Sequence, residues 1–152
     1  MARDYIMRMV EQIAAMLSTL LAKREAGCNI EVEKELDGHC LRTIGLSLER
    51  LKKLSPEAVA QLLNEAGALR PVRAITLAEL LLVDAELADE KQDESGAAAS
   101  RVHAFCLLAD SLPILNSEDQ TVYREKLKAL TDKLGDLKTH PYIAERLGNA
   151  DL

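Results

Sequence analysis

The chain has 152 residues, a formal net charge of −6, 48% hydrophobic residues and 29% charged ones, a globular balance at a length that suits one domain, 1–152, with a sizeable core. Aromatic residues make up only 3%, with no Trp, so the core must come from Leu, Ala, Ile, Val and Met. The acidic balance and the scarcity of stacking rings argue against a nucleic-acid partner, because such affinity comes largely from Lys and Arg displacing phosphate counterions.

The opening stripe of Ile6, Met9, Val10, Ile13, Met16, Leu17, Leu20 and Leu21 steps by three and four, the period of a helix with one buried face. It predicts a first helix from about Asp4, as N-cap, to Gly27, a residue suited to a left-handed turn. Lys23, Arg24 and Glu25 follow the apolar run, where a secretory signal would carry small residues and a cleavage site. No stretch approaches the roughly 18–20 apolar residues of a membrane span. The expectation is a cytoplasmic protein without a membrane partner, and three cysteines at no framework spacing fit reduced thiols there.

A second helix is expected over Asn29–Ile44, closed by Gly45 and weakened in its middle by Gly38. Leu46–Leu54 follows as a short helical piece led by Ser47. Ser55-Pro56-Glu57 is a strong helix start: an N-cap serine, proline at the first helical position, and a carboxylate near the positive end of the dipole. Val59, Leu62 and Leu63 are its expected buried side, with Gly67 as its end.

Arg70-Pro71 begins the next helix, whose segment Ile75–Asp89 is the most apolar in the chain. With Ile75, Leu77, Leu80, Leu81, Leu82 and Val83 around most of its circumference, it is the expected central helix. Its second half is acidic, from Asp84 to Glu94, and a turn is expected at Ser95-Gly96. Helical period resumes from Ala97 through Val102, Phe105, Leu108 and Leu112. Ser117-x-x-Gln120 reads as a capping box, opening a helix with Tyr123, Leu127, Leu130, Leu134 and Leu137. Thr139-His140-Pro141 restarts a last short helix carrying Tyr142, Ile143 and Leu147. The fold class is therefore all-α, six to eight helices stacked as antiparallel hairpins.

The segment Leu81–Ala109 resembles a degenerate tetratricopeptide unit. Leu81 stands at the leading large position, Ala85 at the glycine slot, and Ala97 and Ala104 at the small slots of the second helix. Asp84, Ala88, Arg101 and Ala109 depart from the pattern. The opening Asp4-Tyr5-Ile6-Met7-Arg8-Met9-Val10-Glu11-Gln12 resembles the start of a bacterial family of small helical proteins of unknown function. That resemblance implies a tetratricopeptide-like domain throughout and brings no catalytic residues with it.

Candidate chemistry is sparse. His103 and Cys106 lie three apart on one helix, and His39 and Cys40 are adjacent on another, with Cys28 in the preceding turn. Together they form a conceivable soft-metal or thiol site, but adjacent helical residues point about 100° apart. They also lack paired Cys-x-x-Cys spacing, and cysteine is often a small buried apolar residue. Phosphate loops, nucleophile elbows and zinc-helix motifs are absent. The acidic run has neither the alternate-residue spacing nor the central glycine of a calcium loop. It is either a solvated helix end or a docking place for a basic partner.

The functional expectation is a non-catalytic protein-interaction or scaffold domain that needs no cofactor and binds a protein partner or a second copy of itself. Tyr5, Met7 and Arg8 are the candidate contact surface, and a metal- or thiol-dependent protein using His39, Cys40, His103 and Cys106 is the alternative.

Overall fold

The structure, a computed structural model, describes residues 2–149, with the side chains of 2–7, 9 and 10 outside the description. These residues form eight α-helices and no strand: α1 Ala2–Glu25, α2 Asn29–Ile44, α3 Leu48–Lys53, α4 Pro56–Asn64, α5 Arg70–Glu90, α6 Glu94–Ser111, α7 Ser117–Leu134 and α8 Pro141–Asn149. The all-α class with six to eight helices is thereby established.

The antiparallel α5–α6 hairpin is the centre of the packing. α1, α2 and α4 pack on α5, while α3, α4, α7 and α8 pack on α6. Small residues are buried on both helices of the hairpin: Ala78 and Ala85 on α5, Ala97 and Ala104 on α6. Phe105, Leu80, Leu81 and Leu108 are also buried. Each large apolar side chain withdrawn from water in this way contributes about 1.5–3 kcal/mol. The apolar circumference of α5 is thus matched by neighbours on several sides.

Helix ends follow the sequence where local chemistry is decisive. Ser47 and Ser55 accept hydrogen bonds from the backbone N–H of Arg50 and Ala58, and Gly45 closes α2 in the left-handed conformation. Several expectations fail, the first being the cap of α1: the helix already includes Ala2, which leaves Asp4 inside it.

The α5–α6 turn lies at Lys91–Asp93, before Ser95-Gly96. Gln92 takes a positive φ of 62°, and the Asp93 carboxylate accepts from the Gly96 N–H at 3.0 Å. Ser95 and Gly96 are therefore already the first turn of α6. A Cβ on Gly96 would stand 2.2 Å from that carboxylate, so glycine admits the cap rather than making the turn.

The cap of α7 is Asn116, whose side chain accepts from the Asp119 N–H at 2.8 Å. Gln120 reaches back to the Leu115 carbonyl. The Ser117-x-x-Gln120 box is thus displaced by the better acceptor one residue earlier.

Leu62, an expected core residue, is 40% exposed, and Leu21 is likewise exposed. α4 presents only Val59 and Leu63 to the hairpin, and Leu21 lies off the Ile13–Leu20 line that α1 buries. Leu137 falls beyond α7, in a 3-10 segment at Gly135–Thr139, and is partly buried. No helix among the described residues is long and apolar enough to cross a membrane.

Candidate functional site

The His and Cys candidates separate into different surroundings. Cys40 is buried on α2, where burial pushes its thiol up to about 12 and the charges of Asp37 and Asp84 act in the same direction. Cys106 is buried on α6, also pushed up to about 12 by burial, with Arg146, Asp110 and Glu145 around it. The two thiols have no charged neighbour in common.

His39 turns away from Cys40, with its Nδ1 3.0 Å from the Arg42 guanidinium. Cys28 occupies the N-cap position of α2 without a side-chain cap bond. Among these candidates, His103 and Cys106 line one space together. With Val59, Leu63 and Asp110 they line a space of about 10 Å³, at the limit for one water molecule. Among the described residues, no three His, Cys, Asp or Glu side chains converge as a metal would need. A thiol held protonated is also a poor nucleophile.

Most of the acidic run is paired internally. Asp84 receives the Lys52 ammonium at 2.8 Å and the Ser100 hydroxyl at 2.6 Å. Arg24 spans Glu86 and Glu90 at 2.5 and 2.6 Å, and Asn29 donates to Glu90. Asp89 pairs with Arg101, which holds its carboxyl below the usual carboxylate range. Lys91 pairs with Glu33. The carboxylates that oppose the α5 dipole thereby tie α5 to α1, α2, α3 and α6. The basic partner suggested by their density is the rest of the chain.

Of the expected contact surface, Arg8 is exposed. The side chains of Tyr5 and Met7 lie outside the described residues.

A different surface carries a cleft beside a buried ion pair. Glu79, 4% exposed, is a lone carboxylate within the apolar part of α5. It accepts from Lys126 of α7 at 2.6 Å, and the same ammonium stands 5.3 Å from the Tyr123 ring centre. Cation–π attraction and the carboxylate together hold the cation over the hairpin. Burial raises the Tyr123 hydroxyl above its ordinary range, so the ring stays neutral.

Beside this pair runs a cleft of about 200 Å³, with Leu82, Leu130 and Ala129 as apolar lining and Arg101, Lys126, Lys133 and Glu86 as polar lining. Of its three cations, Lys126 and Arg101 are paired with Glu79 and Asp89. Lys133 forms no ion pair among the described residues.

The pattern behind this groove is present in the sequence. Val122, Lys126, Ala129 and Lys133 repeat at four, three and four, a second stripe about 100° around α7 from its core stripe of Tyr123, Leu127, Leu130 and Leu134. Val122 and Ala129 are exposed. An exposed valine before the two lysines and an exposed alanine between them put apolar side chains on an outward stripe. Glu79 inside an apolar run carries the complementary signal, since such a carboxylate needs a buried partner.

No family model matches the chain, and no curated protein or solved structure matches it.

Proposed function

We propose that the chain is a non-catalytic protein-interaction domain, acting in the cytoplasm, that seats an amphipathic helix with an acidic flank in the groove between α7 and the α5–α6 hairpin. The observation that carries this reading is the lining of the groove. Leu82, Ala129 and Leu130 offer an apolar strip, and Arg101, Lys126 and Lys133 set a basic rim on an acidic protein. Helix-in-groove recognition uses this combination: apolar anchors supply affinity, and charge at the rim selects the partner and its orientation.

Lys126 and Arg101 are already held by Glu79 and Asp89, so the rim is pre-organised and little side-chain freedom is lost on docking. Lys133 is left to meet the incoming carboxylate. The small-residue seam of α5–α6 supports a tetratricopeptide-like stacking of hairpins, whose concave surfaces serve this purpose in repeat proteins.

The test uses two synthetic amphipathic helices with the same apolar face, one with glutamates on its flank and one with lysines. Titration into 15N-labelled protein should give saturable shifts around Leu82, Ala129 and Lys133 with the acidic peptide only. Lys133→Glu should weaken that binding several-fold. Equal binding of both peptides, shifts confined to another surface, or no binding by either at millimolar peptide would overturn the reading. Shifts produced in the groove by a single-stranded oligonucleotide, but not by the acidic peptide, would replace the protein partner with a nucleic acid.

A further inference from the structure

A cleft of about 480 Å³ opens where the end of α6 meets α7 and α8, a volume in the range of small-molecule sites. Its apolar wall is Ala109, Leu112 and Pro113, and its charged lining is Asp110, Arg124 and Arg146.

The two arginines are held differently. Arg146 is already engaged: its Nε and one terminal nitrogen donate to the two Asp110 oxygens at 2.9 and 3.0 Å, and its other terminal nitrogen donates to the Tyr142 carbonyl at 3.0 Å. Arg124 forms no ion pair among the described residues. Its Nε is covered by protein and has no hydrogen-bond partner, a rare condition for a buried donor. That leaves the two terminal nitrogens as the edge that the cleft can use. Asp110 cancels Arg146, so the lining carries one uncompensated positive charge on a chain of net charge −6.

This charge balance selects the ligand. A guanidinium presents parallel N–H donors that fit a carboxylate or a phosphate. One unpaired cation balances a monoanion. A phosphate dianion would also face Asp110 and the carbonyl end of α6, where the helix dipole is negative. The apolar wall favours a ligand with an aliphatic body. We propose that the cleft binds a small aliphatic carboxylate, with its carboxylate on the terminal nitrogens of Arg124 and its chain against Ala109, Leu112 and Pro113. The cleft shares no lining residue with the α7 groove, and its ligand is independent of any helix seated there.

Titration of hexanoate into 15N-labelled protein at fixed ionic strength tests it, followed at the Arg124 Nε–Hε signal and the Ala109 and Leu112 amides. Saturable shifts at low-millimolar concentration are expected, the range open to a ligand of about eight heavy atoms. Acetate should bind at least several-fold more weakly, and hexylammonium should leave these signals unmoved. Arg124→Gln should abolish the shifts at Ala109 and Leu112. Arg124→Lys, which keeps the charge and loses the fork, should weaken binding several-fold. The absence of saturable shifts up to about 50 mM hexanoate would overturn the proposal, as would binding that Arg124→Gln leaves unchanged. Tighter binding of inorganic phosphate than of hexanoate would overturn the carboxylate class, and equal affinity for acetate and hexanoate would overturn the role of the apolar wall. Circular dichroism of each variant separates loss of binding from loss of fold, and the titration of the unaltered chain depends on neither variant.

Discussion

Glu79 and Lys126 meet at 2.6 Å across the boundary between the hairpin core and α7, the carboxylate almost fully buried and the ammonium 40% exposed by side chain. Such a pair contributes little as a pair, since desolvation of the carboxylate offsets much of the attraction, but breaking one side of it is costly. Lys126→Met should lower unfolding free energy by about 1–3 kcal/mol, less than for a fully buried pair because water still reaches the site. Glu79→Gln combined with Lys126→Met should recover most of that loss. Chemical denaturation of Lys126→Met, Glu79→Gln and the double variant decides it, and additive losses would contradict the coupling.

A second junction is the Lys52–Asp84–Ser100 group, which binds α3, α5 and α6 together. Asp84→Ala leaves the fully buried Ser100 hydroxyl and the Lys52 ammonium without their acceptor. It should cost about 1–3 kcal/mol. Ser100→Ala removes the donor together with its need for a partner and leaves the Lys52 pair intact, so it should cost less than about 1 kcal/mol. The ordering of the two is readable from urea midpoints.

Stability should also fall as the pH drops below about 6.5. Burial holds His103 below the ordinary histidine range, with the Lys52 charge adding to the effect and backbone hydrogen bonding at Lys52 and Leu54 opposing it. His39 is lowered as well, by burial and by Arg42. The unfolded chain therefore takes up these protons at a higher pH than the folded one, and its proton excess makes stability rise with pH through that window. The loss begins near the unfolded histidine value and is complete below the folded one. Asp89, lowered mainly by Arg101, acts in a separate window, losing its contribution only as pH falls through the carboxylate range. His103→Gln should flatten the slope between pH 7 and 5, measured by thermal melts at fixed ionic strength; an unchanged slope would remove His103 from the account.

Thiol chemistry should follow burial. Cys40 and Cys106, buried and pushed up to about 12, should be inert to a disulfide reagent in the folded state at pH 8. Cys28, partly exposed, should react first, and all three should react in guanidinium. Rapid native labelling at Cys106 would reopen the thiol-dependent alternative.

The fold was readable in the residues because helix periodicity and capping are local. The 3.6-residue recurrence of Leu, Ile, Val and Ala marks one face wherever it occurs, and Ser47, Ser55, Gly45 and Pro56 act on backbone groups within four residues of themselves. Errors arose where two local solutions compete: Asn116 against Ser117 as cap, and Gln92 against Ser95-Gly96 as turn. Each competition is worth about 1 kcal/mol, small enough for the surrounding packing to decide.

Long-range relationships were hidden for a different reason. Nothing local says that Lys126 will find Glu79 forty-seven positions away, or that Arg24 will absorb Glu86 and Glu90. A charge in the sequence is only a sign until packing sets its distance and burial, and the energy of a pair depends on both. Sequence alone determined that these segments are helices and which stripes are apolar. Tertiary structure decided which stripe is covered, which acids are already neutralised, and that Ile30 and Leu41 on α2 and Val122 on α7 stay exposed.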